Sequence, residues 1–429
     1  LPDNGADYRF TVARYRPVLE CEGFSPEDLA RSQLPDGFPL LVNISTGELV
    51  EPAFRYLHQR VVQTRAMGLG TARVAANNLR LWWGYLAYRG LAWDEAGSVD
   101  IDGFRNGLVR AISPRTGQPY VEGTVSHRLS HLHGFYSWAN REGFTRISQS
   151  YLEDDDNRSG GRQASRRIHA FTYDEWNKLR PMAGSLPTDP KYDPTQHQCR
   201  DRLIWEVMLH TALRRSEVCA LTVHQLQALM SQIDEKTNEW SAKAIRITMV
   251  KGGPKRARDA VFPTWLIRDL RAYLNGDERK NAVLAYRRSH SGKEPENLFL
   301  NHAHSKRAPG APIQPSRLNA IFNDLMRKAG MTEVIAAIDL ATGGAMERTI
   351  PLHHVHDLRH TAAVWRYQVE RKRGNADPWK PVQVLLGHSD ARTTQRVYLQ
   401  ITNLFEALVS DAALTFFRQV ARGDAESVA

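Results

Sequence analysis

The stretch AIRITMVKGGPKRARDAVF, residues 244–262, alternates apolar and polar side chains, halts at glycine and proline, and then resumes. Ile245, Ile247 and Met249 fall on one side of an extended chain, with Arg246 and Thr248 on the other. That is the two-residue period of a half-buried strand. Lys251-Gly252-Gly253-Pro254-Lys255 breaks the period, and Asp259-Ala260-Val261-Phe262 returns as a partner strand, so the pair predicts a β-hairpin. The chain around it has helical period. Helices are expected over about 199–211, from near Ser216, and over 314–329, 356–371, 380–386, 391–398 and 403–421. Thr172-Tyr173-Asp174-Glu175 has the form of a capping box that opens another. Residues 165–429 therefore predict a mostly α domain with a small antiparallel β-sheet.

Working outward, Glu153-Asp154-Asp155-Asp156-Asn157-Arg158-Ser159-Gly160-Gly161 is polar and ends in glycines, which marks 153–164 as a linker. Upstream of it, 51–152 reads as a helical bundle. Residues 51–67 put Phe54, Leu57 and Val61 on one face, and 72–89 do the same with Val74, Leu79, Trp82, Trp83 and Leu86. Shorter helices are expected at 101–112 and 123–142, the second with Val125, Leu129, Leu132, Phe135, Tyr136 and Ala139 inward. Residues 1–50 contain Pro17, Pro26, Pro35 and Pro39, which argues against long helices there. They read as an N-terminal extension with no assignable role. The fold class is mainly α throughout.

The 429 residues suit two or three domains, and 42% hydrophobic with 24% charged residues leaves ample material for a core. A disordered or collagen-like chain is excluded. No apolar run approaches the ~20 residues that span a bilayer. The opening LPDNGADYRF has neither a basic nor an apolar segment of a secretory signal. Cys21, Cys199 and Cys219 are odd in number and lack CxxC spacing, so a disulfide framework is not expected and a reducing, intracellular location is.

The formal net charge is +10, and it is unevenly spread. Residues 1–50 carry net −4, residues 51–160 net +2, and the remainder net +12. A basic chain suits a polyanionic partner, nucleic acid first and an anionic membrane second.

Taken singly, the candidate functional residues are weak. His356 and Arg359, three apart at a helix start, share a face and need do no more than meet solvent. Arg214 could simply pair with Glu217, Lys251 could flank a turn, and Leu386-Gly387-His388-Ser389 could be an ordinary helix end. His353, His354, His356 and His360 raise a metal site, but no HExxH order or placed acidic ligand supports one, and none is assigned.

Their order is more informative. Leu213-Arg214-x-Ser-Glu217 comes first, then a strand ending in Lys251-Gly-Gly, then His356-x-x-Arg359-His-Thr. Leu-Leu-Gly-His388-Ser follows, with Tyr398 ten residues later. The series resembles the tyrosine recombinase (phage integrase) family over about 165–429, and more loosely over 51–152, which looks like the family's DNA-binding core-binding domain. The resemblance implies catalytic roles for Arg214, Lys251, His356, Arg359 and His388, with Glu217 supporting Arg214 and Tyr398 as nucleophile. Two stretches are longer than the family pattern: a polar segment near 232–241, and Arg371-Lys372-Arg373-Gly374-Asn375.

The chemistry so implied exchanges one phosphodiester for a 3′-phosphotyrosine, which conserves bond energy and calls for no cofactor. Two guanidiniums suit the extra negative charge of the transition state, being always charged and bidentate. A tyrosine with an ordinary pKa of about 10 must lose its proton during attack. The implied base is His356 and the implied acid to the leaving 5′-oxygen is Lys251. The expected partner is double-stranded DNA carrying specific sites, with no membrane role. A homo-tetramer would assemble on it, aided by the apolar stripe of helix 403–421, and accessory DNA-bending proteins can take part.

Arg73, Asn77, Asn78 and Arg80 on one helix, and His127, Arg128 and His131 on another, are candidate groove contacts, although a solvated helix face explains them almost as well. The rival readings are a type IB topoisomerase-like or telomere-resolving enzyme with the same tyrosine chemistry, a catalytically silent DNA-binding regulator, and a zinc hydrolase. The extra N-terminal region favours a mobile-element enzyme, of integrase or transposon type, over a minimal resolvase. A bacterial, cytoplasmic setting fits.

Overall fold

The computed structural model describes residues 9–17, 27, 34–114, 116–153, 169–195, 198–248 and 257–387. The chain divides into two compact units, Leu1–Arg166 with Ile335–Arg348, and Arg167–Val334 with Thr349–Ala429.

In the first unit β1 (Phe10–Arg14) pairs antiparallel with β2 (Pro39–Asn43), Val12 lying opposite Leu41. The helices are α1 (Glu51–His58), α2 (Leu69–Arg89), α3 (Ser98–Arg110), α4 (Glu122–Arg141) and the short α5 (Gln149–Glu153). A single wide turn, Gln59–Gln63, extends α1. Gly90 closes α2 at φ 63°, a left-handed conformation that glycine adopts without a Cβ clash. The core is aromatic. Trp82 meets Phe104 edge-on at 5.2 Å and donates from Nε1 to the Tyr136 hydroxyl at 3.1 Å, which in turn donates to the Trp93 carbonyl. The buried side chains of α4 include Val125, Leu129, Leu132, Phe135, Tyr136 and Ala139, the face expected from its period. Val74 is a correction: it is 42% exposed, because Ala72, Ala75, Ala76 and Leu79 occupy the inner face of α2 and a turn of 3.6 residues carries position 74 outward. Phe38, Leu41 and Val50 lie in the same core, so the described part of the first 50 residues packs with the helices that follow.

The second unit is built around α7. Its helices are α6 (Tyr173–Leu179), α7 (Arg200–Thr211), α8 (Arg215–Cys219), α9 (Val223–Met230), α10 (Thr264–Asn275), α11 (Asp277–Ser289), α12 (Pro315–Lys328), α13 (Asp357–Lys372) and α14 (Trp379–Leu386). Strands β3 (Ala242–Ile247) and β4 (Arg258–Pro263) form the expected hairpin, in register from Ala242 opposite Pro263 to Ile247 opposite Arg258. A further pair, β5 (Thr332–Ile338) and β6 (Ala345–Pro351), was not expected from the sequence. Residues 335–348 of that pair count with the first unit, where the Ile338 N–H donates to the Gly117 carbonyl at 2.7 Å.

Thr172 and Glu175 form the anticipated capping box at α6, the Thr172 N–H donating to Glu175 Oε2 at 2.8 Å. Leu203, Ile204, Trp205, Val207, Met208 and Leu209 are all buried, so α7 is enclosed on nearly every side. Its charged residues satisfy one another: Arg202 Nε donates to Glu206 at 2.7 Å, and His210 lies 3.2 Å from the same carboxylate. The polar segment at 232–241 folds as turns fastened by Arg268, whose Nη2 donates to the Asp234, Glu235 and Thr237 carbonyls. The segments expected as helices at 391–398 and 403–421 lie outside the described residues. Among the described residues no helix is long and apolar enough to cross a membrane.

Candidate active site

Three helix ends in the second unit meet at one point. Helix α7 stops at Ala212, which takes a left-handed conformation at φ 51° and turns the chain. Thr211 steadies that turn, its hydroxyl donating to the Val207 carbonyl and accepting from the Leu213 N–H. Two residues on, Arg214 is the N-cap of α8. Glu217, three residues into that helix, reaches back: its Oε2 accepts the Arg214 N–H at 2.9 Å and its Oε1 accepts from Arg214 Nη1 at 2.7 Å. The Glu217 side chain is fully buried, while that of Arg214 is 25% exposed and faces outward enough to meet a ligand. Arg215, the next residue, is exposed and donates to Asn319 instead.

The second helix end is the start of α13. Asp357 Oδ2 accepts the His354 N–H at 2.8 Å and fixes the turn that presents His356. One turn into α13, the buried Arg359 donates from Nη1 to the Ala212 carbonyl and from Nη2 to the Leu386 carbonyl at 2.5 Å. Leu386 ends α14, the third element, which Gly387 closes at φ 61°.

His356 lies within the field of this cluster. Withdrawal from bulk water, and then the positive charges of Arg359, Arg214 and Arg215, lower its pKa from 6.5 to about 4. Its imidazole is therefore neutral at physiological pH, with an unprotonated ring nitrogen. Burial opposes ionisation of Glu217, but Arg258 and Arg214 outweigh it and hold the carboxyl below its ordinary value. The structure thus brings Arg214, Glu217, His356 and Arg359 together. Lys251, His388 and Tyr398 lie outside the described residues; Lys251 falls in the connection between β3 and β4, and His388 directly follows Gly387.

One member was missed by sequence reasoning. Arg258 is buried, and its Nη2 donates to Glu217 Oε2 at 2.9 Å. Its signal was present: along β4, Arg258, Ala260 and Phe262 are the inward positions, so a charged side chain stands in an apolar row.

The histidines are dispersed rather than gathered as metal ligands. His353 is buried and stacks on Phe171 at 3.9 Å, His354 is exposed, and His360 sits edge-on to His356 at 4.8 Å. Among the described residues, no group of three or more His, Cys, Asp or Glu side chains is placed to hold a metal ion.

In the first unit Asn77 and His127 are exposed, while Arg73, Asn78, Arg80, Arg128 and His131 are half-buried. Asn77 donates to the Arg73 carbonyl on its own helix, and Arg128 lies over the Tyr120 ring at 4.1 Å. Burial and then His127 lower the pKa of His131 to about 4, so that ring is neutral at pH 7.

The sequence model of the phage integrase family matches residues 188–403, half of the chain and the whole of this cluster. The chain belongs to the phage integrase family. It is a tyrosine site-specific recombinase. Among its relatives is tyrosine recombinase XerC of Halalkalibacterium halodurans, 22% identical over 66% of this chain and 73% of that protein. Tyrosine recombinase XerC of Mycobacterium bovis is 26% identical over 76% of this chain and 86% of its own. A solved structure of XerH site-specific recombinase bound to a palindromic difH substrate, a post-cleavage complex, shares the fold with a TM-score of 0.51, 17% identity and 82% coverage of each chain.

Beside the site, a buried histidine sits between two carboxylates. His353 lies 3.5 Å from both Glu175 and Asp357, with the His169 ring edge-on to it at 6.2 Å. Burial opposes its protonation, but the two carboxylates outweigh it, and its pKa is raised above 6.5. Its stabilising contribution is complete below about pH 6.5 and is lost as pH rises through the folded-state value. Glu175 is lowered from 4.5 to about 2, burial opposing and His353 and Thr172 prevailing, so its share persists until strongly acidic pH. Unfolding of wild type and His353→Gln in urea should therefore differ more at pH 5.5 than at pH 8.5. A gap that is equal or larger at pH 8.5 would contradict the assignment.

Proposed function

We propose that this recombinase cleaves and rejoins duplex DNA through a 3′-phosphotyrosine on Tyr398, exchanging strands by way of a Holliday junction and without metal or ATP. The observation that carries the reading is the convergence of Arg214 and Arg359, one helix end apart, on a neutral His356. Both guanidiniums offer fixed positive charge to the nonbridging oxygens of the transition state. As the Tyr398 oxygen bonds to phosphorus, its proton passes to His356. The bond from phosphorus to the 5′-oxygen breaks, and that oxygen takes a proton from Lys251. His388 hydrogen-bonds the phosphate. The return step reverses these transfers with a 5′-hydroxyl of another strand.

The helical unit supplies the second half of the grip on DNA, with Arg73, Asn77, Asn78, Arg80, His127, Arg128 and His131 as its groove-facing set. Four copies act together, joined through the apolar stripe of residues 403–421, and DNA-bending proteins assist. The net charge of +12 beyond residue 160 supports a polyanionic partner for the catalytic unit. The relatives are bacterial, which supports a bacterial, cytoplasmic enzyme, and the N-terminal region favours a mobile-element role in integration or transposition.

The test mixes the protein with nicked duplexes drawn from DNA flanking its gene, in EDTA, and looks for an SDS-resistant adduct. Mass spectrometry of the nucleotide-bearing peptide should place the linkage on Tyr398. Tight DNA binding without any adduct, or a linkage on another residue, would overturn the mechanism.

A further inference from the structure

Arg258 stands at the base of the hairpin whose connection holds Lys251, and its guanidinium reaches three separate elements. Nη2 donates to Glu217 Oε2 at 2.9 Å and to the Ala212 carbonyl at 3.2 Å, and Nη1 donates to the Leu385 carbonyl at 2.6 Å. Leu385 lies three residues before His388. Gly387 accommodates the arrangement, since a Cβ at that position would land on the Arg258 side chain. One side chain therefore ties together the base of the lysine hairpin, the acidic partner of the first arginine, and the helix end that leads to the second histidine.

We propose that Arg258 is a positioning residue for strand cleavage: it occupies the second oxygen of Glu217 so that Arg214 is left for the scissile phosphate. The inference deepens the proposed function and rests on it. A buried carboxylate with no second cation is costly, and a neighbouring arginine readily satisfies it with two parallel hydrogen bonds. With Arg258 present, Arg214 commits Nη1 to Oε1 and its backbone N–H to Oε2. With Arg258 gone, Glu217 draws the Arg214 guanidinium onto both oxygens. The donors that should meet the phosphate are then spent inside the protein.

This makes a prediction that a purely structural role does not. In Arg258→Met, Glu217 loses its principal counter-charge and is left to draw on Arg214. Adduct formation by Arg258→Met on saturating nicked DNA in EDTA should be slower than wild type by roughly tenfold or more at pH 8. The double variant Arg258→Met/Glu217→Gln, with no carboxylate to capture Arg214, should be faster than Arg258→Met at pH 8. Arg258→Lys, which keeps a cation beside Glu217 but cannot span to Leu385, should fall between.

DNA occupancy, measured by fluorescence anisotropy, should remain near wild type in all three. Two results would each overturn the proposal: a wild-type rate in Arg258→Met, or a loss that Glu217→Gln leaves unrelieved. The second would assign Arg258 to folding alone. Wild type runs in every series, so an adduct missing from wild type as well would refute the strand-cleavage reading instead.

Discussion

Replacing Arg359 with lysine is expected to slow covalent adduct formation by about 10²–10³-fold at saturating DNA, the usual cost of removing one donor aimed at transition-state charge. The geometry explains why the exchange is not conservative. Arg359 uses a nitrogen at each tip of its fork to hold carbonyls on two different elements, Ala212 at the end of α7 and Leu386 at the end of α14. A lysine ammonium is a point charge on a flexible stem and cannot span both while also meeting a phosphate. DNA affinity should change much less, because a duplex-binding surface spreads its electrostatic attraction over many phosphates. Single-turnover cleavage of a nicked duplex separates the two quantities. A rate loss below tenfold would mean that Arg359 organises the pocket without touching the transition state.

The second large effect concerns stability. Glu217→Ala should cost about 3–5 kcal/mol, because it leaves the buried Arg258 without its counter-charge. The Arg258 side chain is only 7% exposed, so water can soften the loss little. For a unit of this size that is a fall of about 6–20 °C in Tm. Glu217→Gln should lose less, since the amide oxygen still accepts from Arg258 and no carboxylate remains to be neutralised. Differential scanning calorimetry of the three proteins checks the order wild type, Gln, Ala. A Glu217→Ala protein as stable as wild type would show that the pair breaks even with its own desolvation.

Much of this was written in local pattern. The hairpin at β3 and β4 announced itself through alternation and a glycine–proline break, and α4 through its apolar spacing, because both signals lie within one element. The cluster was legible in a different way. Arg214, Glu217, His356 and Arg359 stood out only as an ordered set, and their convergence brings the end of α7 to the start of α13, with Ala212 and Arg359 147 residues apart in the chain. What escaped notice depended on distant partners. Strand β1 pairs with β2 across the proline-rich stretch between them, so no window around Phe10–Arg14 contains its hydrogen-bonding partner. Strand β6 is mostly exposed and carries no alternation to detect. Arg258 was one residue outside the strand as read from the sequence, and its inward direction becomes visible only when β4 is extended to include it. Val74 failed for a simpler reason: alanines, poor in hydrophobic signal, filled the inner face that a valine was expected to occupy.

The meeting point of the two buried guanidiniums is the oxygen of Ala212, which accepts from both Arg258 and Arg359. No side chain provides that oxygen, so no ordinary substitution deletes it. Position 212 is already alanine, and an alanine scan would pass over the junction without registering it. Glycine would relieve the left-handed turn, worth about 1–2 kcal/mol for a residue with a Cβ, and would still leave the acceptor in place. Genetic variation can therefore adjust the tension around this joint but not cut it; only a change to the main chain itself, such as a backbone ester that weakens the carbonyl as an acceptor, would expose how much of the pocket hangs from one atom.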